Sequence, residues 1–393
     1  MKRKGLIIGP LPKSITEKAA PGGIATHIDE LLRYLKVNDI DIYICYHKPY
    51  DVKKDNVLVS NKIRWLFNVV HGFMLLIFNK NYNLFKYTIK DNIVVAFYFS
   101  KLKIFFQKND PDFVHIHSLH NPAPYALNLL RYKQKIIITD HGFWQGKYLD
   151  KKKIISKLVK NYSIADSIIY ISDMAYQKHL NMNFWDTHKL VKINNPTDFS
   201  AFPIKEKNEK NTDKVIFFNG YSESISRKGF DILVSTINMY PDLYNNIKLI
   251  AICDEYSENH IKTKSWNFKC ELIGKTTLKN ILNILCNSDL FVVPSRSEGF
   301  SLAYIEALAV GIPVIGYFGQ IDEMKKTLNT YIGESFNPDD EGEEGLMKKI
   351  VLCLNTPFDV HLVRENLIKN YSWDVLGKKI LELYYPSKRN FVE

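Results

Sequence analysis

The chain has 393 residues, 46% of them hydrophobic, and a formal net charge of +11, a size that lets two domains each bury a core and a composition that excludes a disordered or fibrous protein. Five scattered cysteines without a C-x-x-C pair exclude a disulfide framework or zinc ribbon and fit a reducing cytosol. Residues 1–195 hold 30 Lys+Arg against 15 Asp+Glu, whereas residues 196–393 hold 23 against 27, so the positive excess belongs to the first half and predicts an anionic surface or ligand for it; no recognition motif points to nucleic acid.

Gly5–Gly9 reads as a first strand, in an amino-terminal stretch whose apolar run is too short for a secretory signal. The pair Gly22-Gly23 precedes a helix expected over Ile24–Leu35, an arrangement that lets backbone approach a ligand at a helix N-terminus. Asp41–Tyr46 is a second strand. Residues 62–108 contain twelve aromatic residues, eight Lys+Arg and one acid, Asp91. This tract is too polar to span a bilayer. It is either an aromatic core or a basic, aromatic face lying on an anionic membrane, and the charge asymmetry favours the second. Phe113–His117 and Ile136–Thr139 are strands that end in His-Ile-His-Ser and Asp140-His141-Gly142, and polar groups at strand ends belong to a ligand-binding edge. His115, His117, His120 and His141 are ligand types, but no carboxylate-rich partner stands near them in the sequence and no metal is expected. Lys151–Lys153 begins a solvated helix, and Ser167–Ser172 is a further strand.

Asn194–Asp213, with Pro196, Pro203 and an aromatic-free charged run, is the expected domain boundary. Val215–Phe218 restarts the βα alternation, and Arg227-Lys228-Gly229 opens a helix shortly after it. Strands are expected at Ile247–Cys253 and Glu271–Gly274, and a helix at Leu278–Cys286. Asp289–Gly316 then reads as a complete strand–loop–helix–strand unit. Leu290–Val293 is a buried strand, Ser301 an N-cap, and Leu302, Ile305, Leu308 and Ala309 recur at helical spacing. Gly311 and Pro313 stop the helix before a strand at Ile312–Ile315. Such a unit puts Glu298 and Glu306 at the carboxyl edge of a parallel sheet. Arg227 and Lys228 are suited to grip a diphosphate and the acids to accept hydrogen bonds from sugar hydroxyls; a solvated loop Glu298 with a helix-end Glu306 favoured by the dipole is the alternative that these residues by themselves leave open. Ser372–Tyr385 reads as one amphipathic helix.

The E-x₇-E spacing of Glu298 and Glu306 within PSRSEGFSLAYIEALAVGIPVI resembles the signature of retaining, nucleotide-sugar-dependent glycosyltransferases of the GT-B fold, the group 1, family 4 type. The glycine pair, PDFVHIHS, TDHG, NNPTD, SRKGFD and YSWDVLGKKILELYY resemble further motifs of that family in the same order. The resemblance implies an α/β GT-B architecture, two Rossmann-like doubly wound parallel-sheet domains facing a central cleft. Residues 1–195, with 373–393 crossing back, would bind the acceptor, and 196–372 the donor. It implies that Glu306 binds the nucleotide ribose, that Glu298 contacts donor-sugar hydroxyls, and that Arg227 and Lys228 stabilise the departing diphosphate. The backbone N–H groups of Phe300 and Ser301, together with Gly22, Gly23 and Ile273, complete the implied donor site, and His141 assists the reacting sugar. Catalytic roles fall to Glu298, His141, Arg227 and Lys228, with no metal or other cofactor. The implied partners are a UDP- or GDP-sugar and a glycan or lipid-linked acceptor, to which the charge asymmetry adds an anionic membrane met by the basic first domain. The place of work is the cytoplasm, peripheral to the inner face of its membrane. Ser301 stands where the family often has Gly, and Pro196 and Thr197 depart from its junction motif, which bears on donor-pocket shape. A GT-B-type epimerase and a non-catalytic carbohydrate- or membrane-binding scaffold are the other readings. The joint presence of Arg227, Lys228, Glu298 and Glu306 argues against the scaffold.

Overall fold

The computed structural model describes residues 2–16, 23–52, 54–83, 88–118, 121–142, 159, 163–181, 186–205, 213–220, 225–240, 245–253 and 266–386. The chain divides into two compact units, Met1–Pro196 with Leu376–Glu393, and Thr197–Val375.

The first unit is built on seven strands: β1 (Arg3–Ile8), β2 (Ile40–Cys45), β3 (Val57–Leu58), β4 (Phe113–His117), β5 (Lys135–Asp140), β6 (Ser167–Tyr170) and β7 (Leu190–Lys192). All neighbours pair in parallel, in the order β3-β2-β1-β4-β5-β6-β7. β4 is buried at every position, as a strand covered on both faces must be. The order reverses between β1 and β4, which makes their carboxyl ends the crevice of this sheet. The helix α1 (Gly23–Val37) buries Ala25, His27, Ile28, Leu31 and Leu35, one stripe at helical spacing.

The aromatic tract 62–108 includes two packed helices, α2 (Lys62–Ile77) and α3 (Ile89–Phe106), each opened by a side-chain cap, Asn61 and Thr88. They answer the two expectations differently. α3 buries Val95 through Ser100, Leu102 and Phe105, so its middle is covered on every side and forms core. Gly72 of α2 lies against α3 so closely that a Cβ there would sit 1.9 Å from the Ala96 carbonyl oxygen. The opposite side of α2 remains exposed.

The carboxyl-terminal helix differs from expectation. Trp373–Gly377 is a π-helical turn, and a regular helix follows only over Lys378–Tyr384. Leu376 is buried, and a Cβ on Gly377 would come within 2.6 Å of the Tyr34 ring of α1. Close seating against α1 therefore coincides with the widened turn. The regular helix docks on the first unit by aromatic contact: Tyr384 stacks on Phe113 at 3.7 Å between centroids, and Tyr385 donates to Asp112.

The second unit carries β8 (Lys214–Asn219), β9 (Ile247–Ile252), β10 (Lys269–Ile273), β11 (Leu290–Val293), β12 (Val314–Tyr317) and β13 (Gly333–Phe336). They form a parallel sheet in the order β10-β9-β8-β11-β12-β13. The order reverses between β8 and β11. β11 and the helix Leu278–Cys286 lie where the sequence places them. β12 begins two residues later than expected because Ile312 still completes the helix end: its N–H bonds to the Ala307 carbonyl while Gly311 takes φ 110°.

Candidate functional site

In the second unit the crevice between β8 and β11 gathers the charged residues singled out above. β8 ends at Asn219, and the short helix Ile225–Lys228 carries Arg227 and Lys228. Gly229 follows at φ 74°, and a Cβ on it would meet the Pro294 carbonyl oxygen at 2.0 Å. The turn therefore rests against the end of β11, backbone against backbone, as only glycine permits. The Arg296 N–H bonds to the Arg227 carbonyl at 2.9 Å, and the Arg227 guanidinium donates to the Ser297 carbonyl at 3.0 Å. Arg296 makes a forked pair with Asp231, at 2.9 and 3.0 Å.

Glu298 stands at the centre of this loop and is 8% exposed. One carboxylate oxygen accepts from Lys228 Nζ at 2.6 Å and from the Ser295 hydroxyl at 2.6 Å; the other lies 3.5 Å from the Arg227 guanidinium. Three of the implied site residues, Arg227, Lys228 and Glu298, are thus one cluster, with two cations around one buried carboxylate. That surplus of positive charge, at the carboxyl edge of a parallel sheet, suits an anionic ligand. Ser295 completes the cluster and was not singled out in the sequence.

Glu306 projects from the middle of the helix Leu302–Val310, half-buried, with Ser301 as its N-cap residue. The Ser301 N–H, implied as a phosphate donor, already donates to Gln320 Oε1 at 2.7 Å, and Gln320 Nε2 returns a bond to the Ser301 carbonyl at 3.0 Å. An anion reaching that amide must displace a side chain buried at 1% exposure. Phe300 is buried with its ring 5.9 Å from Tyr371. Ile273 ends β10, and its carbonyl accepts from the Cys253 N–H.

In the first unit the carboxyl ends of β4 and β5 bring histidines together. His117 Nδ1 and His141 Nε2 are 2.9 Å apart. His27 of α1 packs against both, with ring centroids at 5.4 and 5.1 Å. His115, two residues before His117 on β4, is bound instead to Tyr384 Oη at 2.6 Å and Thr139 Oγ1 at 2.7 Å. Ser118, directly after His117, holds φ 93°, a strained backbone for a residue with a side chain. Gly142 takes φ 103° and donates to Asp140. Gly23 opens α1, and among the described residues no atom lies within 4 Å of a Cβ position there, so their packing does not require glycine. Gly22, His120 and Lys151–Lys153 lie outside the described residues.

Ligand atoms of His27, His117 and His141 lie within 4.8 Å of one another. Neutral imidazoles suit a zinc-like ion, yet the bond between His117 and His141 already joins a ring nitrogen of each. A metal taken on those two nitrogens would have to break it. His27 was missed in the sequence because its position continues the buried stripe of α1, where histidine reads as a core residue.

Burial holds these histidines neutral. It pushes His27 down to about 4 and His115 to about 3, and it takes His117 and His141 well below the usual value, with neighbouring imidazoles adding to the effect. The unfolded chain protonates them near pH 6.5, so the stability they contribute is present above that pH and is lost as pH falls toward 4. The melting temperature is expected to drop steeply between pH 6.5 and 4, with His27 alone accounting for roughly 3 kcal/mol over that window. A His27→Leu variant should show a shallower fall in the same calorimetric series; an equal slope would remove His27 from the account.

Comparison with known proteins accords with both units. The profile of Glycosyltransferase Family 4 matches residues 21–200, and that of Glycosyl transferases group 1 matches residues 201–340. An uncharacterised glycosyltransferase of Methanocaldococcus jannaschii is 26% identical over 381 residues, 92% of this chain and 94% of its own. An uncharacterised glycosyltransferase of Haemophilus influenzae is 24% identical over 263 residues, 65% of this chain and 70% of its own. Among solved structures, sucrose-phosphate synthase from Thermosynechococcus elongatus superposes with a TM-score of 0.71 at 14% identity, over 98% of each chain. Anabaena HepE in complex with UDP-glucose gives a TM-score of 0.67 at 13% identity, over 96% of this chain and 98% of its own. At such identities the likeness is one of fold, the two-sheet GT-B architecture.

Proposed function

We propose, for a chain that belongs to the family 4, group 1 glycosyltransferases, that it moves a sugar from a nucleoside diphosphate sugar to a glycan or lipid-linked acceptor with retention of anomeric configuration. The observation that carries this reading is the buried Glu298 carboxylate held between Lys228 and Arg227 at the β11 edge. A carboxylate already satisfied by two cations and a hydroxyl is poised for exchange. An incoming diphosphate would take over Lys228 and Arg227, and Glu298 would turn its freed oxygens to sugar hydroxyls. As the diphosphate departs it gains negative charge, and cations already in place stabilise it without reorganising. Glu306 is assigned to the ribose. His141, kept neutral by burial, can offer a lone pair to positive charge at the sugar. The acceptor oxygen bonds to the anomeric carbon from the face on which the bond to the diphosphate breaks, and its hydroxyl proton passes to the departing phosphate oxygen. No resident metal enters this scheme, and the cations Arg227 and Lys228 stand in its place.

UDP or GDP is the proposed nucleotide. One relative is a GDP-mannose-dependent mannosyltransferase acting on a phosphatidylinositol mannoside, and two solved neighbours are complexes with UDP and with UDP-glucose. Relatives named for capsular polysaccharide and O-antigen biosynthesis support a cell-surface glycan as product. The proposed place of work is the cytoplasmic face of a membrane, met by the basic first unit.

A thermal-shift panel of UDP-, GDP- and ADP-sugars is the direct test. Ligand at about 100 times its dissociation constant stabilises the native state by about 2.7 kcal/mol, a shift of several degrees. One UDP- or GDP-sugar is expected to give it, and Lys228→Ala to abolish it. A panel with no shift would end the donor assignment. An epimerase would release free sugar product without any acceptor.

A further inference from the structure

We propose that the outward face of α2 inserts in the plane of an anionic phospholipid surface. α2 is apolar on two sides. Its inner side, Val69, Gly72 and Leu76, is buried against the first unit. Its outer side carries Ile63, Leu66, Phe67, Val70, Met74 and Ile77, between 44% and 73% exposed. Phe78, the C-cap residue, extends the row and is 86% exposed. At 100° per residue these positions fall within an arc of about 120°, so they form one continuous stripe rather than scattered surface residues. A stripe of this kind is unusual on a free surface and marks a place of docking.

The charge around the stripe chooses the occupant. Lys62 and Arg64 flank its two edges at the first turn, and Lys80 follows its end, all exposed. Across residues 62–108 eight Lys+Arg face a single acid, Asp91, and that acid accepts from the Thr88 hydroxyl at the N-cap of α3. A second copy of this face would bring like charges together. A bilayer of anionic headgroups instead offers phosphates to the long cationic side chains at the rim and acyl chains to the stripe between them. α2 is about 24 Å long, and no described helix is long and apolar enough to cross a membrane, so the helix lies along the interface. The inference rests on the glycosyltransferase reading only for its purpose, access to a lipid-borne acceptor. Its geometry stands on α2 alone.

The test is flotation of the full-length protein with vesicles of phosphatidylcholine, with and without about one third phosphatidylglycerol. Binding to the anionic vesicles is expected. It should weaken but persist when salt is raised to about 0.5 M, because screening removes the rim attraction and leaves the apolar insertion. Phe67→Glu with Met74→Glu should lower the bound fraction at least about tenfold. Both side chains are exposed, so the melting temperature and the donor-induced thermal shift should stay as in the wild type. Equal binding by wild type and double variant, equal binding to neutral and anionic vesicles, or no binding would each overturn the proposal. So would a dimer in sedimentation equilibrium that the double variant dissolves without any vesicle binding. Loss of the donor shift with vesicle binding intact would instead strike the glycosyltransferase reading and leave this surface standing.

Discussion

Replacing Glu298 with alanine is expected to lower sugar transfer by about 10²–10³-fold, the usual cost of removing one preorganised polar group from a reacting centre. The same change takes away the acceptor of Lys228 Nζ and of the Ser295 hydroxyl, and leaves a cation only 15% exposed without its partner. A stability cost of about 1–3 kcal/mol follows from orphaning those groups. Glu298→Gln separates the two effects. The amide oxygen can still accept from Ser295 and Lys228, so stability should largely return, while the charge that orders Lys228 and Arg227 is gone and transfer should stay low. Turnover of either variant within about twofold of wild type would sink the assignment of Glu298 to the reacting centre.

Gly229→Ala is expected to be strongly destabilising and to disable the site in the second unit. It forces a side chain into φ 74° and places its carbon 2.0 Å from the Pro294 carbonyl oxygen. Both partners are backbone, so neither can rotate away. The turn that carries Arg227 and Lys228 must lift off the end of β11, at a cost of about 2–4 kcal/mol. Donor binding should vanish with it, because the cations lose their register with Glu298. Gly23→Ala is the matching control: among the described residues no atom lies within 4 Å of its Cβ position, and its effect on stability should be within about 0.5 kcal/mol. Calorimetry on the pair checks both, and a Gly229→Ala protein as stable as wild type would show that the turn has room to move.

Much of this architecture was legible because its signals are local. Leu290–Val293 is a short apolar run between punctuating residues, and Leu278–Cys286 a strongly periodic one. Glu298 and Lys228 each stood out in the sequence as candidates, but not as a hydrogen-bonded pair. They are 70 positions apart, and only the pairing of β8 with β11 brings them within 2.6 Å. His27 hid among apolar residues of the same spacing. The Gln320 side chain on the Ser301 amide left no local trace, since it arrives from the next helix. The tract 62–108 was legible in composition but not in facing. Its aromatic content divides between a buried helix and one with an exposed side, and a residue count cannot say which residues look outward.

The bond between His115 and Tyr384 joins positions 269 apart in the chain. A polypeptide leaving the ribosome presents β1 to β7 first, then the whole of Thr197–Val375, and only afterwards the helix whose phenol closes the buried imidazole of β4. Until that helix emerges, the ring faces that Phe113 and His115 offer to Tyr384 have no cover. The earliest-synthesised sheet is thus the last to be finished, and its completion waits on the synthesis of everything between. Vectorial synthesis and long-range closure pull against each other here, a topological delay that slows a chain and prolongs its dependence on chaperones.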